Sequence, residues 1–188
     1  MSRLEPLSEQ QLSPAAREML ASADAMMGFT PNDGRIMARD PQLMQAFAAL
    51  VGAIYRPGKV PDELKRLVGL VASSAAGCQY CMAHTAFSAR RKGAGDERLA
   101  QVWEFESSNH FSEAERAALR LALLAAQVPN GVSDGDYAAF ARHYDEDQQL
   151  EILAVISLFG FLNRWNSTLA TEVESGPRAV LDAARPPR

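Results

Sequence analysis

Apolar side chains recur every three or four positions along nearly the whole chain, the spacing of one helix face, and no series of period-two alternation stands beside it. Ser13-Pro14 reads as an N-cap followed by proline at the first helical position, and Gly28 closes that segment. Ala15, Met19, Ala23 and Met26 give it a weak apolar face. Phe29-Thr30-Pro31-Asn32-Asp33-Gly34 is a turn cluster, followed by a short segment from Arg35 to Arg39. Asp40-Pro41 repeats the cap-then-proline signal. Leu43, Phe47, Leu50 and Ile54 then share a face up to the break at Arg56-Pro57-Gly58.

The next helix starts at Asp62, turns Leu64, Leu67, Val68 and Val71 inward, and runs small and apolar to Ala76, a pattern that suits burial on most sides. Gly77 ends it, and a further helix runs to about Lys92, with Arg90, Arg91 and Lys92 at its negative end. Asp96 to about Ser107 reads as helix, with Leu99, Val102, Trp103 and Phe105. Ser112 and Glu115 form a capping box for a helix that ends before Pro129, and Ser133 to Tyr144 is a shorter one. A long helix from about Asp145 carries Leu150, Leu153, Ile156, Phe159 and Leu162 towards Leu169. Residues from about 178 to 188 read as a tail. The prediction is an all-α fold, a single domain over residues 1–188, built as one unit or as two related helical halves.

With 188 residues and 47% hydrophobic content, the chain can build a packed core. A formal net charge of −4 argues against a nucleic-acid footprint, which needs a basic face. The start, Met1-Ser2-Arg3-Leu4-Glu5-Pro6, has no apolar signal core, and apolar runs fall far short of a membrane span. A cytoplasmic location and no membrane partner are therefore expected. Two cysteines are too few for a disulfide framework; in a reducing compartment such a pair is catalytic, redox-sensing or metal-binding.

Both cysteines lie in Gly77-Cys78-Gln79-Tyr80-Cys81-Met82-Ala83-His84. The thiolate is the nucleophile, so the site must lower a thiol pKa. The N-terminus of the helix favours Cys78, whereas His84, three residues after Cys81, favours Cys81. Spacing alone leaves that choice open. Either sulfur, once oxidised to sulfenic acid, would be captured by its neighbour. Two other readings compete: buried packing cysteines, and a zinc site in which His110 or His143 joins Cys78, Cys81 and His84. The redox reading uses all three groups and needs no metal and no other cofactor. Asn163, Trp165 and Asn166 are candidates to line a pocket beside the pair.

The stretch from Gly77 to Ala86 after an apolar helix, Gly28-Phe29-Thr30-Pro31-Asn32, and Phe159-Gly160-Phe161-Leu162-Asn163-Arg164-Trp165-Asn166 together resemble the AhpD-like alkylhydroperoxidase and carboxymuconolactone decarboxylase superfamily, in its peroxidase-related branch. The resemblance implies an AhpD-like helical fold, homo-oligomers (dimer, trimer or hexamer) and reduction of hydroperoxides by a dithiol/disulfide cycle. It implies Cys81 as the attacking thiol, Cys78 as the resolving one, His84 in a proton relay, and a dithiol protein as electron donor. A lyase of the decarboxylase type on the same scaffold and a non-catalytic redox sensor are the alternatives. Two positions depart from the family pattern. The histidine expected four residues after the second cysteine is Thr85, with His84 one earlier, about 100° round the helix. The relay glutamate expected twelve residues before the first cysteine is Arg66. A weak internal echo at a shift of 85 positions sets Glu151 against Arg66, Asn163 against Cys78 and Asn166 against Cys81, which nominates Glu151 as the missing carboxylate.

Overall fold

A computed structural model describes residues 1–184. The chain forms α1 (Pro14–Met27), α2 (Asn32–Met37), α3 (Pro41–Ile54), α4 (Asp62–Ala75), α5 (Gln79–Arg91), α6 (Asp96–Ala100), α7 (Glu113–Ala125), α8 (Asp134–Ala141), α9 (Glu146–Leu169) and α10 (Ser175–Ala184), with no strand among the described residues. The predicted caps act as expected. Ser13 and Asp40 accept backbone N–H groups ahead of α1 and α3, and Ser112, Ser133 and Asp145 close reciprocal capping boxes at α7, α8 and α9.

Helix α4 is the hub. Leu64, Leu67, Val68, Leu70, Val71 and Ala72 are all buried, and the helix packs on α5, α7 and α9. Gly69 sits where α4 and α9 approach, and a Cβ there would overlap the Phe159 ring. A smaller cluster of Leu7, Leu12, Ala16, Leu20, Met37 and Met44 holds the N-terminal segments and takes in Trp165 of α9.

Three expectations need correction. The buried face of α1 is Ala16 and Leu20, whereas Ala15 is exposed, because the N-terminal segment packs on α1 one residue round from the predicted stripe. The single helix from Asp96 to Ser107 is α6 followed by a 3-10 turn at Val102–Glu104, which lets Leu99, Val102 and Phe105 all turn inward. Much of the expected tail is α10, with Pro177, Val180, Leu181 and Ala184 buried against α5 and α6, and the Ala184 carbonyl accepting the Trp103 indole N–H at 2.8 Å. Residues 185–188 lie outside the described residues.

Candidate functional site

The α4–α5 turn presents the thiols. Gly77 adopts φ +70°, which reverses the chain at little steric cost only because it lacks a side chain. The Cys78 N–H then donates to the Ser73 carbonyl at 3.0 Å, and Cys78 becomes the N-cap of α5. Its sulfur accepts the Cys81 N–H at 3.4 Å. Both thiols are free and buried. Their surroundings differ: Ala76, Gly77, Gln79 and Ser167 around Cys78 are exposed, whereas Cys81 has buried neighbours along α5.

The charge is divided unequally between the two. Donation from the Cys81 thiol, with backbone N–H groups and the Ser167 hydroxyl adding to it, outweighs burial and lowers Cys78 to a pKa of about 6. Burial, the neighbouring Cys78 sulfur and Asp33 push the Cys81 thiol far up. The shifts favour Cys78 as the thiolate and Cys81 as the thiol, through the neighbouring Cys81 group first and the backbone N–H groups of the α5 start after it.

A polar network runs from Cys81 to the surface. Asn166 Nδ2 lies 3.6 Å from Cys81 Sγ and donates to Asp33 Oδ2 at 3.3 Å. The Tyr80 hydroxyl lies 3.1 Å from both Asp33 Oδ1 and Glu174 Oε1, and accepts the Asp33 N–H at 3.2 Å. Glu174 Oε2 pairs with His84 Nε2 at 2.6 Å, and Oε1 accepts the Asn32 N–H at 2.6 Å. Burial raises the Glu174 carboxyl, but the contacts from His84 and the Asn32 N–H prevail and hold it below the usual range. Burial, then Asp33 and Glu174, keep the Tyr80 phenol protonated. His84 lies against the Tyr80 ring, centroids 4.0 Å apart, and packs perpendicular to the Phe29 ring at 5.1 Å.

The predicted site residues fare differently. Cys78, Cys81 and Asn166 lie together. Among the described residues, His84 is linked to Cys81 through Glu174, Tyr80, Asp33 and Asn166. Thr85, at the family's histidine position, spends its hydroxyl on the Cys81 and Met82 carbonyls. Glu151 is not brought to the site. It pairs with Lys65 at 2.7 Å and accepts the Lys59 and Val60 N–H groups. It also lies fifteen residues before Asn166 on one straight helix, about 22 Å along its axis. Arg66 lies over the Tyr55 ring, 3.4 Å from its centroid. His110 and His143 are exposed, and among the described residues no cluster of three metal-binding side chains forms.

Two carboxylates, Glu174 and Asp33, both meet the Tyr80 hydroxyl near the pair, and neither stood out in the sequence. Asp33 was hidden in a turn cluster. Glu174 precedes Ser175 and Pro177, a helix-start signal in the stretch taken as leading into a tail.

Comparisons with known proteins agree with this architecture. Residues 41–123 match the model of the carboxymuconolactone decarboxylase family. The debrominase Bmp8 is 34% identical over 96% of this chain and 97% of its own, with a TM-score of 0.90, and a cysteine-to-alanine variant of it has been crystallised with 2,3,4-tribromopyrrole. A peroxidase-related protein of Ralstonia eutropha JMP134 with an AhpD core is 22% identical over 100% of this chain and 98% of its own, with a TM-score of 0.84, and so shares the fold. YnjA of Escherichia coli (strain K12) is 27% identical over 72% of this chain and 75% of its own. With the helical scaffold, the C-x-x-C turn and a near full-length relative at that identity, the chain belongs to the AhpD-like carboxymuconolactone decarboxylase family.

Proposed function

We propose that this protein is a dithiol-dependent reductase that passes two electrons from Cys78 and Cys81 to a small electrophile, with hydroperoxides as the substrate class. The observation that carries the reading is the divided pair, a thiolate at the α5 N-cap beside a thiol that holds its proton. The Cys78 thiolate attacks the terminal peroxide oxygen, the O–O bond breaks, and the leaving alkoxide takes the Cys81 proton. The Cys81 thiolate then attacks the Cys78 sulfenic acid, the S–O bond breaks and the disulfide forms. The departing hydroxide becomes water with a proton drawn from the Tyr80–Glu174–His84 chain, whose His84 side chain is 11% exposed. A dithiol protein restores the pair. This order of attack reverses the one implied by the family resemblance. The charge on Cys78 and its exposed surroundings favour it.

A second substrate class is favoured by the 34% identity to a debrominase. The same pair would reduce a carbon–bromine bond: Cys78 takes the bromine, the carbon takes the Cys81 proton, and disulfide formation expels bromide. Lyase chemistry needs no thiol pair and gains nothing from this site. Self-association is assigned to the apolar groove between α3 and α9, lined by Leu43, Phe47, Leu50, Leu158 and Phe161.

The test is substrate consumption with a dithiol reductant for wild type, Cys78→Ser and Cys81→Ser, with cumene hydroperoxide and a bromopyrrole in parallel. Both variants should lose turnover, and Cys81→Ser should accumulate an oxidised Cys78. An oxidised Cys81 in Cys78→Ser, formed at the wild-type rate, would reverse the order of attack. Equal background rates in all three proteins would sink the reductase reading.

A further inference from the structure

Helix α9 faces both sulfurs with one short segment. Asn166 reaches Cys81, and the Ser167 hydroxyl reaches Cys78. Asn163 lies one turn before Asn166 and shares its face. The two are 5% and 2% exposed, yet Oδ1 of each has no protein donor within hydrogen-bond reach. Their orientations are set by their neighbours. Asn166 Nδ2 donates to the Asp33 carboxylate, and a flipped amide would set oxygen against oxygen. Asn163 Nδ2 points at the Ala72 carbonyl, 3.5 Å away, and flipping it would do the same. Two buried acceptors without donors cost stability, and one of them belongs to the amide that touches Cys81 Sγ, the other to its neighbour one turn away on the same helix face.

We infer that Asn163 and Asn166 are the substrate-recognition residues, their carbonyl oxygens accepting a hydrogen bond from an N–H or O–H group carried next to the bond the dithiol reduces. Asn166 holds the Cys81 sulfur with its nitrogen and the substrate with its oxygen, so the donor and the sulfur are set one amide width apart. The inference rests on the reductase reading and narrows its substrates. A hydroperoxide carries O–H on the attacked oxygen, and an unsubstituted halopyrrole carries N–H in the ring; a dialkyl peroxide and an N-alkylated pyrrole carry neither. A site built to pair a substrate donor strongly rejects the analogue that lacks it, because the protein acceptor stays buried and unpaired.

The experiment uses the full chain. Binding of tribromopyrrole against its N-methyl analogue, and of tert-butyl hydroperoxide against tert-butyl methyl peroxide, is measured on Cys78→Ala/Cys81→Ala protein, where no turnover intervenes. At least one donor-bearing ligand should bind about 100-fold more tightly than its methylated partner, and the pair that discriminates identifies the source. Adding Asn163→Leu should collapse that preference. In the otherwise native chain, Asn163→Leu should raise KM at least about tenfold while leaving the melting temperature unchanged or higher, since it removes an unpaired acceptor. A merely structural asparagine would lower it. Equal affinities within both pairs, no binding by either donor-bearing ligand, or a preference that survives Asn163→Leu overturns the inference; amides satisfied by ordered water give that result. If Asn163→Leu fails to fold, the methylated pairs on the native asparagines decide alone. Wild-type turnover without donor preference defeats this inference only, whereas absent turnover with both substrate classes defeats the reductase reading and this inference with it.

Discussion

Replacing Glu151 by Gln should unsettle the fold and spare the chemistry. The Lys65 side chain is 2% exposed, and its ammonium meets the Glu151 carboxylate at 2.7 Å, with the Ile54 carbonyl at 3.2 Å and that of Arg56 at 3.5 Å. At that separation and an effective dielectric of ~20 the attraction is about 6 kcal/mol. Desolvation of the two ions costs several kcal/mol each and offsets most of it, so the pair adds little net stability. Removing one partner is another matter, because the Lys65 charge stays buried with only two carbonyls. Loss of one buried partner costs about 3–5 kcal/mol. Glu151 is 21% exposed, so water relieves part of the penalty and the lower end applies. About 3 kcal/mol corresponds to a fall of about 6–12 °C in melting temperature for a chain of this length. Calorimetry and urea unfolding read the loss. The double variant Lys65→Met/Glu151→Gln removes both charges and should recover about 2 kcal/mol of it. Dithiol turnover per folded molecule, and its pH profile, should match wild type below the melting range. A Glu151→Gln protein as stable as wild type but slow in turnover would refute this reasoning and restore Glu151 to the proton path.

Other outcomes follow from the site and the core. Alkylation of Cys78 by iodoacetamide should rise with pH through about 6 and level off above it, because the lowered pKa leaves the thiolate populated there; a rise centred near 9 would remove the thiolate from the scheme. Tyr80→Phe breaks the only hydroxyl link between Asp33 and Glu174 in the described network and should slow peroxide turnover about 100-fold without changing the Cys78 alkylation rate. Leu181→Ala should cost about 2–5 kcal/mol in urea unfolding, since Leu181 is 1% exposed; a cost near zero would return the segment to a tail. Leu50→Glu should shift the chain towards monomer in sedimentation, as Leu50 is 49% exposed on the α3/α9 groove.

The helices and their starts were legible because each is written locally. Cap, proline and apolar spacing act within a few residues, and α1, α3, α7, α8 and α9 begin where those signals stand. The burial of α4 and the position of the thiol pair after Gly77 were legible for the same reason. The stripe on α1 was misplaced by one residue because small residues make a faint face, and the packing partner decides which side is covered. The C-terminal helix was passed over because its basic, proline-rich end outweighed Val180 and Leu181.

The sequence by itself determined that two thiols stand in one turn at a helix start, which can be read without knowing the fold. It did not determine which thiol the surroundings favour as thiolate, or which polar side chains gather beside the pair. Those depend on Asp33, Asn166 and Glu174, which lie far from Cys81 along the chain and meet it only when α2, α9 and the segment before α10 close around α5. Burial and hydrogen bonding set a pKa, and both are properties of the assembled neighbourhood rather than of spacing along the chain.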